Sequence, residues 1–419
     1  MKKPPLRAVA WPGEVPDFRI QLRQILAFAL QHSLPVALWR LPNTQQAQLC
    51  LSFSDEAAFA GLTPILEPKA PAGFAFFPFR DSDHNPALFL PADVFFDTAN
   101  PAELHVSTSL DEAGEAQVEA LLSFLSTAPP SSSTPLPWHV SPQPVPHTAT
   151  RAEYAALVRK AVATIEQGHL RKVVSSRAAR RVLPLGFDVL VAFGELHRRY
   201  PSAFVSLVST PSAGTWLGAT PEKLVEVDEE GVFRTMALAG TQPLTPDLTP
   251  QTAMWTGKEI EEQALVARYI VSCFKQLRLR DYDEIGPRTA AAGQLLHLRT
   301  DFAVPLRQVP HPTLATDMLR LLHPTSAVGG MPRQAALDFL QAHESYDRAY
   351  YSGFLGPVNL PQPGVARVFV NLRCLQLRED EAVLYAGTGL TAFSDPLREW
   401  TETELKLATV GAVLGGKAE

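Results

Sequence analysis

Short β-rich segments and a few long amphipathic ones follow one another irregularly along this chain, and that order constrains its fold more than any other feature. Beyond residue 150, apolar and β-branched runs such as "AFVSLVST" and "ARVFVNLRCLQL" arrive in clusters. Two long segments, "GKEIEEQALVARYIVSCFKQL" and "PLREWTETELKLATVGAVL", have the spacing of amphipathic helices. A parallel βαβ array would alternate strand and helix regularly. We therefore predict an α+β fold with large, mostly antiparallel sheets and helices packed on the outside.

An abrupt change of composition divides the chain near residue 150. The stretch "TAPPSSSTPLPWHVSPQPVPHTAT", which starts at Thr127, is too rich in proline and serine for a regular strand ladder. We interpret it as an extended linker. The predicted organisation is an N-terminal α+β region over 1–126 that packs on the same core, a linker over 127–149 and a main domain over 150–419.

Charge and cysteine content exclude some classes of function. A net charge of −6 and a pI near 6.0 argue against a surface for nucleic acid or anionic membrane. The apolar run "AVAW" near the start is too short for a signal peptide, and no segment has the roughly 18 uninterrupted apolar residues of a membrane span. We expect a cytoplasmic protein. Cys50, Cys273 and Cys374 are far apart, which favours buried free thiols in a reducing compartment.

Two pairs of glutamates repeat the same helical spacing. Glu259 and Glu262 lie one turn apart, as do Glu399 and Glu402, and Lys406 follows one turn later. If the two pairs met in space, they would repel each other unless a divalent cation such as Mg²⁺ lay between them. Solvated helix faces explain the spacing more simply, and from the spacing alone that explanation is much the better one.

Several other features each have a functional and an ordinary explanation. Lys172 lies among valines in a predicted strand, where a lowered pKa would let it act as a base, but strand lysines often face water. Glu222 follows a proline at a turn and by itself suggests a surface residue. Arg373 interrupts an apolar strand, which fits a buried anionic partner or a side chain that reaches the surface. The small-residue loops at 238–241 and 386–390 suit a bound ligand or a tight turn.

The stretch "LHPTSAVGGMP" at 322–332 suits neither a helix nor a strand. Glycine is conformationally too free for either element, and proline lacks the backbone donor. Small residues in such number suggest that something approaches this backbone closely.

Taken in order, these segments resemble the chorismate-utilising enzymes, and the isochorismate synthases in particular. The resemblance covers about residues 150–410 and rests on ten weak motifs in the family's order: "KVVSSR", "WLGATPEKLV", "ALAGTQP", "KEIEEQALV", "LLHLRT", "LHPTSAVGGMP", "ESYDRAYYSGFLGP", "VNLRC", "LYAGTGL" and "SDPLREWTETELK". It implies the fold of anthranilate synthase component I, with residues 150–419 as the catalytic domain, chorismate as substrate and Mg²⁺ as cofactor. In this family the 322–332 stretch forms a wall of the chorismate site.

The resemblance also implies roles for individual residues. It places the metal on Glu262 and Glu402, with Glu259 and Glu399 as outer or water-mediated ligands. Lys172 would be the catalytic base and Glu222 the acid. The implied substrate-binding residues are Gly240, Thr241, His297, Ala327, Arg373, Gly387, Gly389 and Lys406, of which Arg373 and Lys406 would contact a substrate carboxylate.

Chemistry favours one branch of this family. If water adds at C2 of chorismate and the C4 hydroxyl leaves, a base is needed near C2 and an acid near C4. Lys172 can be that base only if its pKa lies well below the ordinary value of about 10.4. Anthranilate synthases carry glutamine in place of Lys172, and aminodeoxychorismate synthases carry lysine in place of Ala239. We therefore predict an isochorismate synthase that requires no glutaminase subunit. We expect a monomer, although the branch chemistry does not bear on the oligomeric state.

Three positions depart from the family pattern and keep alternatives open. Ser326 replaces a proline in the wall that would separate a pure isomerase from a salicylate synthase, which also eliminates pyruvate from isochorismate. Ser175 replaces an apolar residue, and Gln263 replaces a histidine. A salicylate synthase and a non-catalytic relative that binds a chorismate-like anion are the alternatives. The sequence does not choose between a menaquinone and a siderophore pathway.

Overall fold

Two large antiparallel sheets form the centre of the molecule. The computed structural model describes residues 6–54, 65–128, 134–245, 247–292 and 295–415, except for the side chains at positions 241, 243, 258 and 292. The strands are β1 (Leu6–Ala10), β2 (Val36–Arg40), β3 (Gln48–Leu51), β4 (Gly73–Phe77), β5 (Leu88–Pro91), β6 (Val94–Asp97), β7 (Glu103–Ser107), β8 (Lys172–Val182), β9 (Phe204–Thr210), β10 (Gly214–Thr220), β11 (Lys223–Val227), β12 (Val232–Pro243), β13 (Asp283–Ala292), β14 (Leu295–Pro305), β15 (Gly330–Met331), β16 (Phe354–Val358), β17 (Ala366–Val370), β18 (Cys374–Leu377) and β19 (Glu381–Leu390).

Helices lie on the outer faces of these sheets. They are α1 (Phe18–Gln31), α2 (Glu112–Thr127), α3 (Arg151–Glu166), α4 (Val189–Arg199), α5 (Gly257–Gln276), α6 (Leu314–Leu322), α7 (Arg333–His343) and α8 (Pro396–Gly411). Buried residues of α1, α2 and α4 pack with the first sheet, and those of α5 and α6 pack with the second. Helix α7 lies against β8 and β15 of the first sheet. In the described part of the chain, no helix has the length and apolar character to cross a membrane.

The order of the strands confirms the predicted α+β fold. The first sheet runs β1-β7-β6-β3-β2-β9-β10-β18-β19-β8-β15, and the second runs β13-β14-β12-β11-β17-β16-β4-β5. Neighbouring strands pair antiparallel, as in β2 with β9, β19 with β8 and β12 with β14. This arrangement matches the irregular order of strand clusters and helices in the sequence.

Aromatic side chains hold the inner faces of the two sheets together. Phe204 of β9 stacks on Phe369 of β17 with ring centroids 4.2 Å apart, and Trp39 of β2 contacts Phe74 of β4 at 5.1 Å. Such ring pairs add to the large apolar area that each aromatic side chain buries. Buried free thiols, as predicted from their spacing, are found at all three cysteines.

Both sheets contain strands from either side of residue 150. β2 pairs with β9 in the first sheet, and β4 pairs with β16 in the second. Residues 134–150 contain no helix or strand. They are nevertheless attached to the first sheet, because Trp138 Nε1 donates to the carbonyl of Arg378 at 2.9 Å and Thr215 Oγ1 donates to the carbonyl of His139 at 2.9 Å. Residues 129–133 of the predicted linker lie outside the described residues, and the domain boundaries stay a prediction.

The glycine-rich stretch after α6 contains a short strand that its composition did not predict. Gly330 and Met331 form β15 and pair with Val173 and Lys172 of β8. Gly330 has a φ of +139°, and a Cβ at this position would overlap the carbonyl oxygen of Lys172. The expectation that no strand forms here is therefore wrong for two residues. Glycine is needed because the backbone that approaches this stretch is β8 itself.

A buried arginine fastens this stretch to β8. Arg348 Nη1 donates to the carbonyl of Val328 at 2.8 Å, and Nη2 donates to the carbonyl of Val174 at 2.6 Å. Its guanidinium also pairs with Glu344 at 2.6 Å, and the two side chains are 2% and 5% exposed. Glu344 in turn accepts a hydrogen bond from the backbone N–H of Ser176 at 2.7 Å. One ion pair thus joins β8, the glycine-rich stretch and the end of α7.

Replacing this arginine should destabilise the fold. Arg348→Met removes the guanidinium and leaves Glu344 as a buried charge, so we expect a loss of at least about 3 kcal/mol in the free energy of unfolding. Denaturant unfolding followed by circular dichroism measures the change. The matched control is Arg159→Met on the exposed face of α3, which should stay within about 0.5 kcal/mol of the parent. Equal losses in the two variants would contradict this assignment.

Candidate active site

A cavity of about 90 Å³ lies where the two sheets meet, and most of the sequence-predicted residues line it. These are Lys172, Glu222, Gly240, Glu262, His297, Ala327, Arg373, Gly387, Gly389, Glu402 and Lys406. Strands β8 and β19 with helix α8 supply one side, and β12 and β14 with α5 supply the other. The fold therefore brings together groups that lie as far apart in the chain as Lys172 and Lys406.

Glu222 occupies the turn between β10 and β11 and is 7% exposed. Its backbone carbonyl accepts a hydrogen bond from the N–H of Val370 at 3.0 Å, which fixes the turn. Burial raises the pKa of the Glu222 carboxyl to about 7, although the charges of Lys172, Arg373 and Lys406 oppose the rise. A substantial fraction of the carboxyl is therefore protonated at neutral pH, which is the form that can donate a proton.

Lys172 and Glu262 converge on Gly389. Lys172 is the first residue of β8 and is 3% exposed, and Glu262 of α5 is 8% exposed. A Cβ at position 389 would lie 2.9 Å from Lys172 Cε, 3.3 Å from Lys172 Nζ and 3.4 Å from Glu262 Oε1. The glycine on β19 thus leaves the space into which the Lys172 amino group and the Glu262 carboxyl group project.

Two cationic side chains, Arg373 and Lys406, line the cavity. Arg373 lies in the bend between β17 and β18 with a φ of +48°, and its carbonyl accepts from the N–H of Ala219 at 3.0 Å. Lys406 Nζ donates to the carbonyl of Gly387 at 2.7 Å and pairs with Glu402, one turn earlier on α8, at 2.6 Å. Arg373 and Lys406 make the cavity a suitable site for an anionic ligand.

His297 is neutral and has a fixed tautomer. Its Nδ1 lies 2.7 Å from the carbonyl oxygen of Gly240, and because a carbonyl only accepts, Nδ1 carries the proton. Burial, together with the charge of Arg373, lowers the pKa of His297 to about 4. At neutral pH the imidazole therefore offers Nε2 as a hydrogen-bond acceptor.

Some sequence-predicted positions lie outside the cavity lining. The Glu259 carboxylate caps α5, where it accepts from the backbone N–H of Thr256 at 2.8 Å. Glu399 is 1% exposed in the first turn of α8. The Thr241 side chain is outside the described residues. Ser326, expected in the cavity wall, is 1% exposed and buried behind the lining, which at this point consists of Ala327 and Val328.

The sequence reasoning missed two tyrosines that line the cavity, Tyr351 and Tyr385. The Tyr351 hydroxyl lies 3.0 Å from the place where a Cβ at Gly387 would stand. Burial raises the pKa of Tyr351 to about 12, so the phenol is a hydrogen-bond donor at neutral pH. Tyr351 lies in the motif "ESYDRAYYSGFLGP" and Tyr385 in "LYAGTGL". Both motifs were recognised as a whole, and neither role was read from them.

Ser175 and Gln263, the other two residues that depart from the family pattern, both make hydrogen bonds. Ser175 of β8 and Thr388 of β19 lie 3.1 and 2.9 Å from the hydroxyl of Tyr154 on α3. Gln263 Nε2 donates to Thr300 Oγ1 at 2.9 Å and so attaches α5 to β14 beside Glu262. These contacts support the site from behind.

The donor set of the cavity fits Mg²⁺. Glu262 and Glu402 supply carboxylate oxygens from two helices, which are the ligands this ion prefers. Among the residues that the structure describes, no group of three or more His, Cys, Asp or Glu side chains is arranged to hold a metal ion. Two carboxylates are nevertheless sufficient for an ion that commonly keeps several waters and binds an anionic substrate in its remaining positions.

Comparisons with known proteins point to one family. The sequence pattern of the family described as chorismate binding enzyme matches residues 45–415. The chain is 29% identical over 281 residues to isochorismate synthase EntC of Escherichia coli K12, which covers 66% of this chain and 70% of that protein. The solved structure of MenF, a menaquinone-specific isochorismate synthase of E. coli, superposes with a TM-score of 0.77 at 22% identity, over 98% of this chain and 95% of that one. The solved structure of anthranilate synthase component I from Streptococcus pneumoniae superposes with a TM-score of 0.65 at 17% identity, over 98% of this chain and 93% of that one. The predicted fold is confirmed.

The raised pKa of Glu222 should appear in the pH dependence of stability. The folded pKa of about 7 lies above the ordinary value of 4.5, so ionisation costs folding free energy as pH rises through this window. Glu222→Gln stays neutral at every pH and escapes that cost. We expect the unfolding free energy of the variant, relative to the parent, to increase by about 3 kcal/mol between pH 4.5 and 8. Urea unfolding at several pH values measures it, and a constant difference would contradict the assignment.

Proposed function

Because the chain belongs to the chorismate binding enzyme family, we propose that it is an isochorismate synthase. It would convert chorismate to isochorismate by adding water at C2 and releasing the C4 hydroxyl. The named relatives with this activity support the assignment.

The proposal depends chiefly on one observation, namely that Lys172 and Glu222 are both buried and line the same cavity. A base and an acid are the two groups that the reaction requires, on different atoms of the substrate. Glu222 has a pKa near 7 and so keeps the acid form available. Lys172 must be neutral to accept a proton. Its side chain is only 3% exposed, and such burial favours the neutral amine over the charged form.

Substrate binding would use the cationic side of the cavity. Arg373 offers a planar guanidinium suited to a carboxylate, and Lys406 supplies a second positive charge. Glu262 and Glu402 would hold Mg²⁺, which when bound supplies a positive charge opposite the ring carboxylate of chorismate. Tyr351 can donate a hydrogen bond from the same wall.

Proton transfer in this scheme balances within one turnover. The Lys172 amine takes a proton from the attacking water, and the Glu222 acid gives a proton to the departing hydroxyl, which leaves as water. The chain then holds an ammonium and a carboxylate, and exchange with solvent restores the starting forms. Since one water enters and one leaves, the conversion is an isomerisation that the same two groups can catalyse in reverse.

Other branches of the family are less consistent with the lining. Ala239 lines the cavity where an aminodeoxychorismate synthase would carry a lysine nucleophile, and Lys172 stands where an anthranilate synthase would carry glutamine. Salicylate formation requires a further elimination of pyruvate. Ser326, the residue expected to bear on that step, is buried behind the lining.

Product analysis decides among these activities. The purified protein, incubated with chorismate and Mg²⁺, should yield isochorismate at a reversible balance with chorismate and release no pyruvate. Chromatography resolves the two acids, and a coupled assay measures pyruvate. Salicylate with stoichiometric pyruvate would reassign the protein to the salicylate synthases, and no turnover would favour a binding protein.

Removal of the proposed base or acid should abolish turnover without unfolding the protein. Lys172→Ala and Glu222→Ala should each lower kcat by at least about a hundredfold, because each removes one proton-transfer group. Lys160→Ala, an exposed site on α3, is the control and should keep the parent rate. A Lys172→Ala protein with a near-normal rate would refute the assignment of the base.

The proposed metal ligand can be tested with two glutamates of α8. Glu402→Gln should weaken Mg²⁺ binding in the presence of chorismate by at least about tenfold, because one of two carboxylate ligands becomes a neutral amide. Glu404→Gln, at an exposed position in the same helix and outside the lining, is the matched control. Isothermal titration with Mg²⁺ measures both. Equal Mg²⁺ affinities in the two variants would contradict the ligand assignment.

A further inference from the structure

A second cavity lies on the opposite side of the first sheet from the catalytic cavity, between α1 and α4. It has a volume of about 630 Å³ and shares no lining residue with the catalytic cavity. Volumes of this order are typical of sites for small organic ligands. We call it the α1–α4 groove. Neither the family resemblance nor the proposed reaction gives it a role.

The groove carries an excess of positive charge. Its charged lining consists of Arg19, Arg23, Arg40, Arg198 and the single carboxylate of Glu195. This excess is unusual in a chain with a net charge of −6.

The single carboxylate does not neutralise the groove. Glu195 is held by Arg198 at 2.8 Å and by Arg199 at 2.6 Å, and Arg23 pairs with Asp188 at 2.9 Å. Within the described ranges, Arg19 and Arg40 make no ion pair.

A partly buried arginine without an ion pair in the described part of the chain, such as Arg40, is energetically unfavourable. Its guanidinium is partly buried, and burial together with the neighbouring charge of Arg19 lowers its pKa. An anion bound to both guanidinium groups would offset this repulsion.

Buried polar atoms of two groove residues also suggest a bound ligand. His197 is 6% exposed and lines the groove. Its Nε2 lies 3.4 Å from Gln45 Oε1, whereas its Nδ1 and the Nε of Arg40 have no hydrogen-bond partner among the described residues. Buried polar groups are nearly always hydrogen-bonded in folded proteins. The two atoms therefore indicate that a polar ligand completes this site.

The rest of the wall is apolar. Phe18 and Leu22 of α1 face Leu190 and Phe193 of α4 across the groove. An inorganic ion would leave this wall in contact with water, whereas a ligand with an apolar body would cover it.

We propose that the α1–α4 groove binds a small organic anion, namely a carboxylate on an aromatic body. Arg19 and Arg40 hold the carboxylate, since two guanidinium groups can each donate paired hydrogen bonds to its oxygens. Phe18 and Leu22 cover the aromatic ring. The site is independent of the reaction, and it stands whether or not the catalytic cavity performs the proposed chemistry.

Calorimetric titration of the full chain with benzoate tests the proposal. Arg19→Gln and Arg40→Gln should each weaken benzoate binding by about tenfold, the effect of losing a charge-assisted hydrogen bond. Arg159→Gln, an exposed arginine on α3, should leave it unchanged. Arg19 is itself exposed, so its replacement tests the site even if Arg40→Gln proves unstable.

Two further titrations separate this groove from the catalytic cavity and define the ligand class. Lys406→Met removes a cation from the catalytic cavity and should leave benzoate binding to the groove intact. If Lys406→Met abolishes binding while Arg19→Gln and Arg40→Gln do not change it, the benzoate site is the catalytic cavity and the proposal is refuted. Acetate should bind at least about tenfold more weakly than benzoate. Equal affinities would overturn the requirement for an apolar body.

Discussion

Close backbone packing of β8 against its two neighbours is the constraint on which the cavity depends. β15 pairs with the start of β8 on one side, and β19 pairs along its length on the other. Glycine stands at both contacts. At Gly330 a side chain would overlap the carbonyl of Lys172, and at Gly389 it would overlap the end of the Lys172 side chain. The position of the proposed base is therefore determined by residues that have no functional group of their own.

Burial shifts the pKa values of Glu222 and His297 in opposite directions, for one physical reason. A medium of low polarity disfavours the charged form of any group, so the pKa of Glu222 rises while that of His297 falls. Both groups are consequently neutral for a large fraction of the time at neutral pH. The permanent charges are left to the guanidinium of Arg373 and to the pair of Lys406 and Glu402. The cavity thus separates groups that exchange protons from groups that attract an anion.

Sequence periodicity predicted the long elements well, because it reports directly on which face of a helix is buried. The segments proposed as helices from residues 257 and 396 correspond to α5 and α8. Periodicity says less about what Glu259 does. A spacing of three residues shows that Glu259 and Glu262 share a face, but not that the first lies at a helix start, where its carboxylate satisfies a backbone donor. Thr256 three residues earlier was the available signal. The contacts of Tyr154 with Ser175 and Thr388 have no such local signal, because tertiary structure alone brings them together.

The interleaving of early and late strands governs how the chain can fold during its synthesis. β4 and β5 leave the ribosome among the first hundred residues, yet the strand that covers the edge of β4 begins at residue 354. The nascent protein must therefore carry an exposed, phenylalanine-rich strand edge until most of the chain has been made. Edges of this kind invite pairing with other chains. Production of this protein should consequently be more sensitive to translation rate and chaperone supply than its size alone suggests.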